Sequence, residues 1–233
     1  MISMHQSQFL PWIPYFYKMA KSDIFVILDD AQFEKNGVQN RNMIKTPKGT
    51  RWLTVPVKSD FGAPINRVES ADTARYEKIT ETLRMNYSRG LFFNSVHEPL
   101  KAVFDKKHRL LHNLNMDLLD AVSEMAGARP EIRLSSSLGI GSGRDDRIIE
   151  IAKHLGETDY LSGPGAMAYM DMDKFRRAGI DIYVTDFRYS EYPQLWNKET
   201  GFLPDLSIVD LLFNNLDNAK EYIIGNGSVR KVT

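Results

Sequence analysis

"MHQSQFLPWIPYFYKMAKSDIFVILDDAQF", residues 4–33, decides the fold class. Met1 to Met4 are apolar apart from Ser3 and read as a first strand. Pro11 and Pro14 suit a loop or a first helical turn, and Tyr15 to Ala20 then form a short helix. "DIFVILDD" (residues 23–30) has a nearly unbroken apolar centre, the mark of a strand covered on both faces in a parallel sheet. Strand, helix and strand in so few residues predict a right-handed βαβ unit.

The pattern continues outward. Met43-Ile44 and Trp52-Leu53-Thr54-Val55 flank Thr46-Pro47-Lys48-Gly49, with Pro and Gly placed for a type I turn, so a β-hairpin is expected. Residues 58–72 read as a loop. From 73 to about 127 helical spacing dominates (Tyr76, Ile79, Leu83, then Leu110, Leu111, Leu114, Leu118, Val122), with Gly90 and Gly127 as helix ends. Alternation then resumes: strand "EIRLSSS", helix "RDDRIIEIAKHLG", strand "DYLSG", helix "YMDMDKFRRAG", strand "DIYVTDF". A last helix in "PDLSIVDLLFNN" takes Asp205 as N-cap and Asp210 inside, and "GNGSVRKVT" (225–233) is left as a loose tail. The expectation is one α/β domain over 1–224, with a mostly parallel Rossmann-like sheet, a β-hairpin and a helical insertion.

Composition narrows the function. The 233 residues are 42% apolar and 26% charged, ordinary values for a globular chain. Lys plus Arg and Asp plus Glu number 30 each, so no global field favours nucleic acid or anionic lipid. The absence of cysteine excludes disulfides, thiolate nucleophiles and zinc–thiolate sites. No basic stretch followed by an apolar run opens the chain, and the apolar runs are too short to span a bilayer. A soluble, cytoplasmic protein acting on a small molecule is expected, with neither nucleic acid nor membrane insertion.

In parallel α/β sheets ligands sit beyond the carboxyl ends of the strands. His5, Asp29, Asp30, Ser162-Gly163 and Asp186 fall there. His5 suits a general base or an anion contact, or is a histidine satisfied by a backbone carbonyl. Asp29 and Asp30 suit an ammonium group, a cation or the orientation of His5, or else cap a turn; adjacent strand residues face opposite ways, so both do not enter one pocket. "QNRN" (39–42) offers three amides and a guanidinium to a carboxylate, phosphate or sugar, or begins a solvated hairpin. "SGPGAMAY" (162–169) offers backbone N–H groups but has neither dinucleotide nor Walker spacing. His108 and His112 share a helical face without the Glu of a zinc protease helix and read as a solvated or partly packed pair; no metal site is expected.

Taken together, "HQSQFLPWIPYFYK", "LDDAQFEKNGVQNRNMIK", "WLTVPV", "YLSGPGAMAYMD" and "YPQ…FLPDLSIVDLLFN" resemble the WbqC-like family, in order over residues 4–215. Ser7, Pro14 and Ala168 depart from its usual residues. The resemblance implies an enzyme-like protein of bacterial surface-polysaccharide (O-antigen lipopolysaccharide) gene clusters, associated with transfer of glycine or another acyl group to an amino sugar. It marks His5, Gln6, Trp12, Asp29, Asp30, Gln32, Asn40, Arg41, Asn42, Lys45, Ser162, Gly163 and Asp210 as motif positions. The opening is also similar to that of pantothenate synthetase in the nucleotidylyltransferase-like superfamily, although one histidine stands where those enzymes have two. On these grounds His5, Asp29 and Asp30 are the catalytic candidates. The substrate-binding candidates are Gln6, Trp12, Gln32, Asn40, Arg41, Asn42, Lys45, Ser162 and Gly163, with Arg41 and Lys45 on the phosphate of a nucleotide sugar or acyl donor. An acyl-carrier protein is a candidate partner and the cofactor is left open. The alternatives are a non-catalytic nucleotide-sugar binder and a nucleotidyltransferase.

Overall fold

In a computed structural model, which describes residues 1–141 and 143–232, the opening stretch folds as β1 (Ile2–Gln6), α1 (Ile13–Ala20) and β2 (Ile24–Leu28). The two strands run parallel, Ile2 opposite Ile24 through Gln6 opposite Leu28. The hairpin follows as β3 (Arg41–Thr46) and β4 (Gly49–Thr54), and the expected loop contains a short ladder of β5 (Val57–Lys58) with β6 (Glu69–Ser70). The helical stretch divides into α2 (Tyr76–Tyr87), α3 (Phe93–Asp105) and α4 (Leu111–Ala126). The alternating half supplies β7 (Glu131–Leu134), α5 (Arg144–His154), β8 (Asp159–Ser162), α6 (Met172–Ala178) and β9 (Asp181–Phe187). Then come α7 (Asn197–Thr200), α8 (Ile208–Asn215), α9 (Ala219–Gly225) and β10 (Gly227–Lys231).

The central sheet has the order β10-β9-β8-β1-β2-β7, parallel throughout except for β10. Helices cover both faces, which is why β2 is an almost continuous apolar run. On one face Phe25 and Ile27 share a core with α1, α4, α8 and α9; on the other Ile2, Met4 and Val26 pack with Ile149 and Ile151 of α5 and Phe175 of α6.

Two local expectations fail. The tail is not loose: β10 pairs with β9 from Gly227–Phe187 to Lys231–Tyr183. An exposed edge strand held by main-chain bonds carries little apolar periodicity, so its sequence hides it. Gly227 is required there, since a Cβ would come within 2.4 Å of the Tyr17 ring. Nor does Asp205 cap α8. Ser207 does, its Oγ accepting from Val209 N while donating to Leu10 O at 2.8 Å.

From β1 the chain proceeds to β2 and β7 on one side, then returns to β8 and β9 on the other. The winding therefore reverses between β1 and β8, which opens a crevice at their carboxyl ends.

Candidate functional site

A cavity of about 680 Å³ occupies that crevice. His5 and Gln6 enter it from the end of β1, Tyr15 and Lys18 from α1, Gly163 from the end of β8, and Asp186 from β9. Trp12, Tyr189 and Asp205 complete its rim. Tyr15 and Lys18 are three residues apart and so present one helical face to the hole.

The loop joining β1 to α1 is pinned from outside. Leu10, at φ 42°, gives its carbonyl to Asn42 Nδ2 and to Ser207 Oγ, both at 2.8 Å. Trp12 bridges to Ser207 through the backbone, which leaves its ring 39% exposed at the mouth. Asn42 thus acts on the loop that presents Trp12.

His5 packs against Tyr15 with the rings tilted by 56° and their centroids 4.8 Å apart, and meets Gln8 Nε2 through Nδ1 at 3.2 Å. Burial, then the charge of Lys18, hold its pKa well below the ordinary value, so the ring is neutral at pH 7. The Gln8 amide sets the tautomer. With the amide nitrogen toward Nδ1, the ring proton sits on Nε2. A half-turn of that amide would place its carbonyl on Nδ1–H and free Nε2 as a base.

Lys18 is the group that reading the sequence missed. Its ammonium is buried, gives one hydrogen bond to Met4 O at 2.9 Å and has no ion-pair partner among the described residues. Burial lowers its pKa to about 7. Two of its three donors remain for whatever fills the cavity. The signal was present: in "IPYFYKMA" the lysine has no acidic residue three or four positions away. The Tyr15 hydroxyl, on the same wall, also lacks a partner among the described residues. Orphaned buried polar groups mark places where water or a ligand belongs.

The other candidates are distributed elsewhere. Asp29 is buried and saturated: Oδ1 accepts from Ser135 Oγ and Ser136 N, and Oδ2 from Ser136 Oγ at 2.6 Å and Asn66 Nδ2 at 3.0 Å. Burial raises its pKa, but these donors outweigh it and hold the carboxyl below its usual value. Asp30 takes Arg147 of α5 at 2.5 and 2.6 Å, along with Ser135. Neither aspartate lines the cavity of His5, so the twin carboxylates do not orient that ring.

Lys45 is fully buried, donating to Gln194 Oε1, Asn197 Oδ1 and Gly201 O at 2.8, 2.6 and 2.6 Å. Gln194 links it to Asp210, which also accepts from Tyr87 and Tyr192 at 2.9 and 2.8 Å. Burial lifts Asp210 to about 6. Arg41 lies on the Trp52 ring at 4.2 Å and donates to Asn36 O. The expected phosphate clamp of Arg41 and Lys45 is therefore not assembled, because each guards its own segment. Ser162 is buried with its Oγ donating to Gly163 O; Gln32 is exposed and pairs with Pro64 through the backbone. Asn40 lines a different groove. His108 lies ahead of α4 and pairs with Asp117 at 2.8 Å, while His112 is buried in its first turn, so the two are packed separately and do not share a helical face. The described residues hold no group of three or more His, Asp or Glu suited to a metal, and no helix among them is long and apolar enough to cross a membrane.

The WbqC-like protein family matches residues 6–222. Over 228 residues the chain is 33% identical to the uncharacterized protein Rv1507c of Mycobacterium tuberculosis, covering 95% of this chain and 96% of that one. No solved structure matches.

Proposed function

The chain belongs to the WbqC-like protein family, and from that membership and the His5 cavity we propose that it transfers an acyl or aminoacyl group to the amine of a sugar in surface-polysaccharide assembly. In this reading the sheet is Rossmann-like, the substrate lies in the crevice at its switch point, and the reaction runs in the cytoplasm. The carrying observation is a neutral histidine beside a buried, unpaired lysine in one aromatic-walled hole. Asp205 on the rim attracts the sugar ammonium, Asp186 beside it being shared with Arg188 at 3.2 Å, and Trp12 offers a flat face to the ring. With the Gln8 amide turned so that His5 Nε2 is free, His5 takes one proton from the ammonium and the free amine attacks the acyl carbon. As the C–N bond forms, the bond from that carbon to the donor's leaving group breaks, and the leaving group departs with the second amine proton.

The test is to incubate the protein with ATP, glycine and a nucleotide-linked amino sugar and to look for amide and AMP by mass spectrometry. His5→Ala is expected to lower turnover by about 10²–10⁴-fold while substrate affinity changes little. Near-normal turnover in that variant removes the base from the mechanism.

A second reading, a non-catalytic binder of the same sugar, is favoured by one observation: the side chain bonded to His5 is an amide, not a carboxylate. A binder would lose affinity, not turnover, in His5→Ala.

A further inference from the structure

The segment "AQFEKNGVQNRN" (31–42) contributes Gln39 to the His5 region but does not line that cavity. It forms one wall of a second, open groove of about 920 Å³, through Phe33, Lys35, Asn36 and Asn40. The opposite wall is the chain from 57 to 69. The two are stitched by backbone bonds, Phe33 N to Ala63 O at 2.8 Å and Ile65 N to Ala31 O at 2.9 Å, with Gln32 bridged to Pro64. Gly62 supplies the bend at φ 76°.

The charge on this groove is lopsided. Lys35, Lys58 and Arg67 line it, and none has an ion-pair partner among the described residues. Glu69 does not offset them, because Arg109 holds it at 2.5 Å; Asp60 is the one lining carboxylate left. Asn40 is 7% exposed, donates to Val55 O at 2.9 Å, and has an Oδ1 without a partner. Three cations lining one concave surface concentrate anions there. A carbonyl oxygen with no donor asks in addition for a hydroxyl or amino group.

We propose that this groove is a second binding site, for a phosphate-bearing small molecule that also carries a hydroxyl or amino donor. Lys58 and Arg67 meet the phosphate from one wall and Lys35 from the other, while Asn40 Oδ1 accepts from the donor. Gln39, the residue before Asn40, donates Nε2 to Gln6 Oε1 at 2.7 Å and so ties this segment to the rim of the His5 cavity. The second site does not depend on the amide chemistry proposed there.

Calorimetric titration of the full chain with ADP and with inorganic pyrophosphate tests this. Both are expected to bind, and more weakly as salt rises. Lys58→Glu with Arg67→Glu should weaken each by about tenfold or more, whereas Asn40→Ala should weaken ADP alone and His5→Ala neither. Lys58→Gln and Arg67→Gln singly serve if the double variant does not melt like the parent. Three results overturn the proposal: no binding of either probe at millimolar concentration, binding indifferent to the charge changes, or loss of binding in His5→Ala.

Discussion

The carboxyl edge of one sheet carries two sets of polar residues with opposite fates. Past β2 and β7, Asp29 and Asp30 have their lone pairs filled by Ser135, Ser136, Asn66 and Arg147. Past β1, β8 and β9, Lys18 uses one donor of three and Tyr15 none. Both sets are polar groups gathered at the same sheet edge and wholly or partly withdrawn from solvent, the aspartates just past β2 and the lysine and tyrosine on α1, so position alone does not separate a site from a brace. The number of unfilled hydrogen-bonding valences does. The Asp210 centre belongs with the braces: two tyrosines and Gln194 converge on it, and Gln194 passes the connection to Lys45.

That contrast breaks if removing a brace is harmless. Asp210→Ala leaves two tyrosine hydroxyls and an amide buried without their acceptor, and is expected to cost about 3–5 kcal/mol in chemical denaturation. Asp29→Ala strips the link between β2 and the 135–136 turn and should cost about 2–3 kcal/mol. A loss below about 0.5 kcal/mol for either would return that carboxylate to the list of site residues.

Titration sharpens the same contrast. Asp210 has its pKa raised from 3.8 to about 6, so the protonated form is favoured by folding. Its contribution is complete below about pH 4 and is lost as pH rises through about 6. Lys18 is the reverse: its pKa is lowered from 10.5 to about 7, so its contribution is complete above pH 10.5 and is lost as pH falls through about 7. Lys18→Met should flatten stability between about pH 7 and 10, and Asp210→Asn between about pH 4 and 6. A Lys18→Met curve that keeps the parent's slope would show that the ammonium is solvated.

The sequence made the frame legible because β1, α1 and β2 are adjacent and β2 is apolar on both faces. It made half of the site legible, through His5, Gln6, Trp12 and Gly163, since strand ends in a parallel sheet share an edge. Asp29, Asp30 and Lys45 misled because a carboxylate or ammonium reads the same in a string of letters whether its partners are water, ligand or protein. Those partners stand 37 to 156 positions away, as Asn66 does from Asp29 and Gly201 from Lys45. Lys18 was missed for the opposite reason: its meaning lies in the partner it lacks.

The mildest substitution bears on the open half of the edge. Trp12 is held by its backbone bridge to Ser207 and by the pinned Leu10 carbonyl, with its side chain only partly covered. Trp12→Ala should cost about 1–2 kcal/mol, less than the loss of a fully buried aromatic, because part of the ring already faces solvent. If the ring stacks on substrate, the same change should weaken sugar binding about fivefold to tenfold, in line with about 1 kcal/mol for one aromatic contact. Tryptophan fluorescence checks this directly: the parent signal should shift on adding the amino sugar, and the variant, with Trp52 and Trp196 outside the cavity lining, should not follow. A variant that melts far below the parent would make Trp12 a brace as well, and would shift the boundary between the two halves by one residue.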